Sequence, residues 1–230
     1  MAFMTDTSEE MRTNQWFCSL PALEQEALIQ RSEWVTMHPG EHLFRRGDTP
    51  IGFYGIKSGR LKACTLREDG KEAILAVIEA GNWFGQTSMT DGQPRPRDVV
   101  AIERSTVFVV RTAAFDELMQ RPAFLRAIAE LQSIHMNWLY RLIEDATLHS
   151  TRARIARRLL LLASGDVTAW PQSRPDVSIS QDTLAMMLGI TRQTLSLELK
   201  AMAEKGAIAL RYGRIEIVSK DILSSFQDYP

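Results

Sequence analysis

Apolar positions recur at strand-like intervals in the first half of the chain and at helical intervals in the second. From residue 34 to residue 111, runs such as FYGIK, RLKACTL, EAILAVI and TVFVV are separated by glycine-containing turns. Many short strands with turn signals between them predict an antiparallel sandwich or jelly roll. A short amphipathic stretch that contains Trp16, Phe17 and Leu20 precedes this region.

A long helix is predicted from Pro122, because proline suits the first helical position and no glycine or proline follows until Gly165. Four residues recur at every seventh position of this segment: Ile128, His135, Leu142 and His149. A heptad stripe favours a seam between two helices, most simply in a two-fold dimer. The alternative is a helix that lies against the β domain of its own chain. In a dimer the two histidines would approach their symmetry mates, but we favour the simpler interpretation that each packs beside a local partner.

Residues 178–205 have the pattern of a helix-turn-helix. Ser180 is placed to cap a first helix, Gly189 suits a tight turn with positive φ, and Thr191 is placed to cap a second helix. The apolar residues of the second helix fall on one stripe, at Leu195, Leu199 and Met202. The other face carries groups that suit phosphates and base edges, namely Arg192, Gln193, Ser196 and Lys200. The alternative is an ordinary helical hairpin with a solvated polar face.

The segments on either side extend this pattern. The run RARIARR at 152–158 begins a further helix, and residues 165–175 are predicted to form a loop. After Gly206, two strand-like pieces at 207–210 and 214–218 flank a Tyr-Gly turn. Such a hairpin after a helix-turn-helix predicts the wing of a winged helix.

Composition favours a two-domain protein in a reducing compartment. The chain has 230 residues, more than the commonest single domain, and its only cysteines are Cys18 and Cys64. No apolar run reaches transmembrane length, and the acidic start lacks the basic region of a signal peptide, so we expect a cytoplasmic protein. Residues 151–230 hold 11 Lys and Arg against 8 Asp and Glu. This modest positive charge coincides with the helix-turn-helix.

Six pieces of the chain carry a family resemblance through their order and spacing. They are PGEHLFRRGD (39–48), IKSGRLKA (56–63), GNWFGQTSM (81–89), the heptad helix, ITRQTLSLELKAM (190–202) and YGRIEIV (212–218). Over roughly residues 15–226 the chain thereby resembles the CRP/FNR family of bacterial transcription regulators. The resemblance implies an α+β fold: a cyclic-nucleotide-binding-like jelly-roll sensor domain over 1–120, a long dimerisation helix over 121–150 and a winged helix-turn-helix over 151–230. Family members bind a pseudo-palindromic operator in double-stranded DNA as homodimers.

The resemblance also implies which residues contact DNA. The base-facing part of the recognition helix, at about 191–205, would carry Arg192, Gln193, Ser196 and Leu197. Arg192 can donate to guanine, and Gln193 suits adenine where many members have Glu. Leu197 stands where the best-known members have Arg, and it either packs on a thymine methyl or tucks against the first helix and reads nothing. The expected phosphate contacts are Ser180, Gln181, Thr191, Lys200, Arg211 and Arg214.

The sensor pocket departs from the pattern of the cyclic-AMP-responsive members. Their Gly-Glu ribose pair, Arg-Ser phosphate pair and Thr-Ser adenine pair correspond here to Gly85-Gln86, Arg95-Pro96 and Leu139-Tyr140. Gln86 lacks the charge of Glu, and Pro96 offers neither a hydroxyl nor a backbone N–H. We therefore do not expect cyclic AMP to be the effector. The pocket takes another small molecule, or it is vestigial.

Other sensor chemistries of the family also fit poorly. An iron–sulfur cluster needs four thiolates, which two cysteines exclude. His38 and His42 lie near a strand start, where a solvated turn explains them, so no haem or metal site is expected. Activation would require an exposed patch that contacts RNA polymerase. The sequence does not locate that patch, so activation and repression both stay open.

Two other classes of function compete with a DNA-binding regulator. A cupin-like metal enzyme needs two His and a Glu on one strand and a further His on another. His38, Glu41 and His42 offer the first set superficially, but a Pro-Gly pair interrupts them and no third His occurs before residue 135. No other catalytic set emerges, so we do not expect an enzyme. A ligand-binding jelly-roll dimer without DNA binding is supported only by an outward Leu197.

Overall fold

The computed structural model describes residues 14–70, 72–165 and 176–227. Two short helices, α1 (Gln15–Ser19) and α2 (Ala22–Gln30), lead into the β region. Its strands are β1 (Ser32–Met37), β2 (His42–Phe44), β3 (Gly52–Ser58), β4 (Arg60–Leu66), β5 (Glu72–Glu79), β6 (Trp83–Phe84), β7 (Asp98–Ala101) and β8 (Ser105–Arg111). A six-residue helix, α3 (Gln86–Asp91), follows β6.

The eight strands form two four-stranded antiparallel sheets, which confirms the predicted jelly roll. The strand orders are β1-β8-β3-β6 and β2-β7-β4-β5. Strand β8 contributes alternate residues to two different hydrophobic clusters. Its Val107 and Val109 belong to the cluster between the sheets, whereas Phe108 and Val110 belong to a cluster on the other face. This alternation follows from the two-residue period of a strand, and it makes the first sheet buried on both sides.

Helices cover the outer face of the first sheet. Besides α1 and α2, this layer contains α4 (Thr112–Met119) and α5 (Pro122–Leu148). Trp16 anchors α1 to α5, because its indole Nε1 donates to the Ala127 carbonyl at 2.6 Å. Pro122 occupies the first turn of α5, as predicted, and the helix continues for 27 residues.

The heptad stripe of α5 faces its own domain, which corrects the expectation of a dimer seam on that face. Ile128 is buried in the helical layer, and Leu142 packs against the cluster between the sheets. His135 lies 2.8 Å from Gln86, the local partner that we favoured, and His149 is the residue that ends the helix. A heptad pattern identifies a buried face but not what buries it, and here the jelly roll takes that place.

A second, smaller domain follows α5. It consists of α6 (Thr151–Ala163), β9 (Asp176–Val177), α7 (Gln181–Leu188), α8 (Arg192–Glu204), β10 (Ile208–Arg211), β11 (Arg214–Ile217) and α9 (Lys220–Ser224). The strands form one sheet in the order β10-β11-β9, so the predicted wing is present and gains a third strand that the sequence analysis missed. The predicted loop at 165–175 lies outside the described residues except for its first glycine. No helix in the described part of the chain has the length and apolar character needed to cross a membrane.

The second domain packs on the outer face of the β2-β7-β4-β5 sheet. The Arg60 guanidinium donates to the Ser178 carbonyl, and Arg158 Nη2 donates to the Leu75 carbonyl at 3.0 Å. Two methionines of α7, Met186 and Met187, cover three buried residues of the sheet, namely Cys64, Ile74 and Val100. The two domains of one chain are thus in direct contact.

Candidate functional site

Both helices of the helix-turn-helix begin at a hydroxyl cap, as the sequence predicts. The Ser180 Oγ accepts from the Thr183 N–H at 3.0 Å, and the Thr191 Oγ1 accepts from the Thr194 N–H at 3.1 Å. Gly189 lies between the helices with a φ of 65°, in the left-handed region where glycine costs least. These three local features define the start, the turn and the restart of the motif.

The second helix, α8, has one fully buried face and one exposed polar face. Its buried residues Leu195, Leu199 and Met202 belong to the core of the second domain. The exposed residues of the opposite face include Arg192, Gln193, Leu197 and Lys200, with Ser196 partly buried beside them. The interpretation that Leu197 tucks against the first helix is wrong, because its side chain is 69% exposed. Residues two apart on a helix point about 200° apart, so Leu197 points away from the face of Leu195 and Leu199.

Three arginines of this surface are held in exposed ion pairs. The pairs are Arg192–Asp182 at 3.4 Å, Arg211–Glu216 at 3.1 Å and Arg214–Asp176 at 3.3 Å. Exposed pairs of this kind contribute about 0–1 kcal/mol, so these guanidinium groups can exchange their carboxylates for another anion at small cost. Gln181, the first residue of α7, is partly buried.

The angle of α8 is set by contacts with its neighbours. Arg152 of α6 pairs with Glu198 of α8 at 2.6 Å. Arg154 Nη2 donates to the Leu188 carbonyl at the end of α7, also at 2.6 Å. Glu198 therefore orients the helix from its inner side, while the outward face stays exposed.

A cavity of about 170 Å³ lies in the jelly roll beside α5. Its lining includes five of the six residues predicted for the effector pocket: Gly85, Gln86, Arg95, Pro96 and Leu139. Tyr140 is not among the lining residues and is 61% exposed, which corrects its placement. Successive helical residues point about 100° apart, so the neighbour of Leu139 turns away from the cavity. The remaining wall is largely apolar.

Gln86 is held by two side chains of α5. Its Nε2 donates to the Nδ1 of His135 at 2.8 Å and approaches the Gln132 Oε1 at 3.3 Å. Burial, and then the charge of Arg97, lower the pKa of His135 from 6.5 to about 4, so the ring is neutral at physiological pH. The Gln86 Oε1 has no hydrogen-bond partner among the described residues.

The Arg95 guanidinium forms hydrogen bonds with backbone carbonyls of its own domain. Its Nη1 donates to the Gly85 carbonyl at 2.8 Å and its Nη2 donates to the Gly52 carbonyl. The guanidinium also lies 4.4 Å from the ring centroid of Phe44. The side chain is only 2% exposed, and burial lowers its pKa. Both terminal nitrogens that could clamp a cyclic phosphate are therefore already in use.

Sequence reasoning missed two α5 residues of the cavity wall, His135 and Trp138. His135 belongs to the predicted heptad stripe, and its spacing of three from Trp138 and four from Leu139 places all three on one helical face. His38 and His42 are exposed, as a solvated turn predicts. Within the described ranges, no three His, Cys, Asp or Glu residues are grouped so that they could hold a metal ion. Cys18 and Cys64 do not form a disulfide.

The two units define a class of protein: a winged helix-turn-helix domain joined by a long helix to a jelly roll of the cyclic-nucleotide-binding type. Comparison with protein families agrees with this assignment. A cyclic nucleotide-binding domain matches residues 34–122, and a Crp-like helix-turn-helix domain matches residues 153–226. Together the two matches cover well over half of the chain.

Two described relatives align with most of the chain. The chain is 26% identical over 179 residues to the cyclic AMP receptor protein of Thermus thermophilus, covering 77% of this chain and 80% of the relative. It is 28% identical over 217 residues to the nitrogen fixation regulation protein FixK of Bradyrhizobium diazoefficiens, covering 90% of this chain and 87% of the relative. The chain belongs to the CRP/FNR family of DNA-binding transcription regulators.

Solved structures confirm the fold. A CRP-family transcriptional regulator from Thermus thermophilus superposes with a TM-score of 0.69 at 23% identity, covering 84% of this chain and 96% of the other. FixK2 from Bradyrhizobium japonicum superposes with a TM-score of 0.76 at 15% identity, covering 86% of this chain and 98% of the other.

Proposed function

We propose that this regulator binds a two-fold pseudo-palindromic operator as a homodimer and that its sensor cavity does not respond to cyclic AMP. In this proposal residues 1–120 sense, residues 121–150 dimerise and residues 151–230 bind DNA. The observation that carries it is the division of α8 into a buried apolar face and an exposed face that presents Arg192, Gln193 and Lys200. A helix of this design fits the major groove, where Arg and Gln discriminate base pairs.

The roles of individual residues on α8 predict different mutant behaviour. Arg192→Ala should lower affinity for the specific duplex by about 1–3 kcal/mol while affinity for random DNA changes little, because a bidentate contact to guanine is lost. Lys200→Ala should weaken specific and random DNA alike and reduce the salt dependence of binding, because a phosphate contact is lost. Fluorescence anisotropy at several salt concentrations measures both. Identical behaviour of the two variants would refute the assignment.

Dimerisation is supported by an apolar stripe on the outer side of α5. Met136, Tyr140 and Ile143 are each at least half exposed and follow one another at i, i+4 and i+7. This face is distinct from the heptad face that packs on the jelly roll. An apolar helical stripe that a chain leaves uncovered is suited to pack against the same stripe of a second copy.

Substitutions on two different faces of α5 should show which face forms the proposed dimer interface. Ile143→Glu is expected to convert the dimer to a monomer at micromolar concentration, because it would place two carboxylates in an apolar seam. Arg141→Glu is the matched control, since it adds the same side chain about 200° around the helix from residue 143. Sedimentation velocity measures the outcome. A monomeric wild-type protein, or an equal effect of both substitutions, would contradict the proposed interface.

The cyclic-AMP part of the proposal rests on the polar groups of the cavity. Arg95 is engaged with two carbonyls, Gln86 is engaged with His135, and Pro96 has no backbone N–H to offer. Some relatives are named for cyclic AMP and others, such as FixK, are not. These contacts favour an effector of different chemistry.

The deciding experiment is fluorescence anisotropy with a selected palindromic duplex and a scrambled duplex, each with and without cyclic AMP. Specific binding that ignores the nucleotide is the expected result. Specific binding that appears only with cyclic AMP would overturn the statement about the cavity. Equal affinity for both duplexes under both conditions would overturn the proposed operator recognition and would favour a ligand-binding dimer that does not act on DNA.

A further inference from the structure

The cavity beside α5 is apolar over most of its wall, and its described lining residues include two positive charges and no negative one. Its apolar lining includes Phe44, Ala63, Ala76, Ile78, Val99 and Leu139. Among the described residues of the lining, Arg95 and Arg97 carry a charge, whereas His135 is neutral at physiological pH. None of the described lining residues is a carboxylate.

The two arginines differ in what they already bind. Arg95 uses both terminal nitrogens on the carbonyls of Gly85 and Gly52 and stacks on Phe44. It therefore holds the backbone around the cavity in place. Arg97, two residues further along, is partly buried, and its guanidinium forms no hydrogen bond or ion pair with the part of the chain that the structure describes.

A half-buried guanidinium without a counter-ion is costly, and an anion brought to it recovers part of that cost. Burial lowers the pKa of Arg97, and the charge of Arg97 in turn lowers the pKa of His135, which places the two groups in each other's field. A bound anion in this cavity would therefore find its counter-charge at Arg97.

Five lining residues have a buried side-chain atom without a hydrogen-bond partner among the described residues: Asn82 Oδ1, Trp83 Nε1, Gln86 Oε1, Arg95 Nε and Trp138 Nε1. Gln86 is 1% exposed and Trp138 is 7% exposed, and both line the cavity. The Gln86 Oε1 and the Trp138 Nε1 have no hydrogen-bond partner among the described residues. Buried polar atoms are normally satisfied, so an acceptor and a donor left open at one cavity indicate a ligand that pairs with them.

We propose that the cavity binds an organic monoanion with an apolar body, such as an aromatic or medium-chain carboxylate, whose charged group pairs with Arg97. The inference rests on the proposed function in one respect, that the cavity is a sensor site that does not take cyclic AMP. The apolar wall buries the body of the ligand, and the single charge of the ligand meets Arg97, whose guanidinium has no partner among the described residues. A charge-assisted pair with Arg is among the stronger polar contacts, which makes the charge the source of specificity.

The test compares ligands that differ only in charge, by calorimetric titration of the full chain without DNA. The probes are naphthalene-2-carboxylate and naphthalene-2-carboxamide, octanoate and octanamide, and cyclic AMP. At least one carboxylate should bind about tenfold more tightly than its amide, a difference of about 1.4 kcal/mol. Equal affinity of acid and amide, no binding of either carboxylate at millimolar concentration, or tighter binding of cyclic AMP would overturn the proposal.

Variants of Arg97 test whether the charge of this residue, and not an effect on folding, determines the preference for the carboxylate. Arg97→Gln should bring the ratio of acid to amide affinity to within about twofold, while Arg97→Lys should keep most of it because the charge remains. Arg104→Gln is the matched control, since this exposed arginine of the same domain does not line the cavity. A ratio that Arg97→Gln leaves unchanged would refute the role of Arg97.

Ligand binding is measured here without DNA, so the two proposals can fail separately. A preference for the carboxylate together with no operator binding would leave the cavity assignment intact and refute the regulator mechanism. Operator binding without any preference for the carboxylate would leave the regulator mechanism intact and refute the cavity assignment.

Discussion

At the scale of single residues, the pair of Gln86 and His135 has the clearest physical consequence. The Gln86 Nε2 is a donor, so the His135 Nδ1 must accept, and only a neutral ring has a nitrogen that accepts. A protonated ring would face this donor and the charge of Arg97 in a largely buried place. Folding therefore keeps His135 neutral to a much lower pH than the unfolded chain does.

This neutral histidine predicts a loss of stability in mild acid. The pKa of His135 is about 4 in the folded chain and about 6.5 when unfolded, so between these values only the unfolded state gains the proton. The free energy of unfolding should therefore fall as pH drops from about 6.5 towards about 4, by about 2 kcal/mol at pH 5. Above pH 6.5 this contribution of His135 to the free energy of unfolding is fully present.

Urea unfolding at about pH 7.5 and about pH 5 measures this term. His135→Gln should lose about 2 kcal/mol less than the wild type between the two conditions, because Gln does not titrate. His38→Gln is the control, since His38 is exposed. The same pH dependence in the wild type and in His135→Gln would contradict the prediction.

At the scale of elements, Gly55 decides how closely β3 and β6 approach. A Cβ at this position would lie 2.7 Å from the ring of Trp83, which is nearly fully buried and pairs with Phe53 at a ring-centroid distance of 5.2 Å. Trp83 also lines the cavity. Glycine is needed here for close approach rather than for a special backbone conformation.

Substitution of this glycine should destabilise the jelly roll. Gly55→Ala is expected to lower the free energy of unfolding by about 1–3 kcal/mol, because the Trp83 ring must shift within a packed core. The double variant with Trp83→Phe, measured beside both single variants by urea unfolding, should show a favourable coupling energy. Strict additivity of the two substitutions would indicate that the ring and the new methyl group do not compete for space.

At the scale of the whole molecule, the contact between the two domains brings the cavity wall close to the DNA-binding domain. Trp138 lines the cavity, and the Arg158 guanidinium of α6 lies 5.8 Å from its ring centroid. Arg158 also donates to the Leu75 carbonyl of β5. A ligand in the cavity can bias the position of the second domain only if its affinity differs between two arrangements of this contact.

Cys64 reports on this contact, because it is 2% exposed beneath the methionines of α7. Burial, reinforced by Glu72, raises the pKa of its thiol to about 12, so it should react slowly while the domains are in contact. In a Cys18→Ser background, Arg158→Met should increase the rate of Cys64 modification by an aromatic disulfide reagent by on the order of tenfold. Arg104→Met serves as the control. An unchanged rate would show that Arg158 does not hold the domains together.

The helix-turn-helix could be predicted almost residue by residue, because its determinants are local. Ser180, Gly189 and Thr191 act on neighbouring backbone groups, so their spacing alone predicts the caps and the turn. The jelly roll followed from strand-length apolar runs between glycine turns. The strand β9 escaped detection, since two residues carry no period.

Local sequence determined the elements, the periodicity of each and the chemistry that each presents, since these depend on residues a few positions apart. Only the tertiary structure decided what covers each apolar face. It placed the Ile128–His135–Leu142 stripe against its own domain and turned Tyr140 outward. It used the guanidinium of Arg95 on backbone carbonyls and gave that of Arg97 no partner among the described residues. Burial and pairing depend on which distant segments meet, and no period along the chain encodes that meeting.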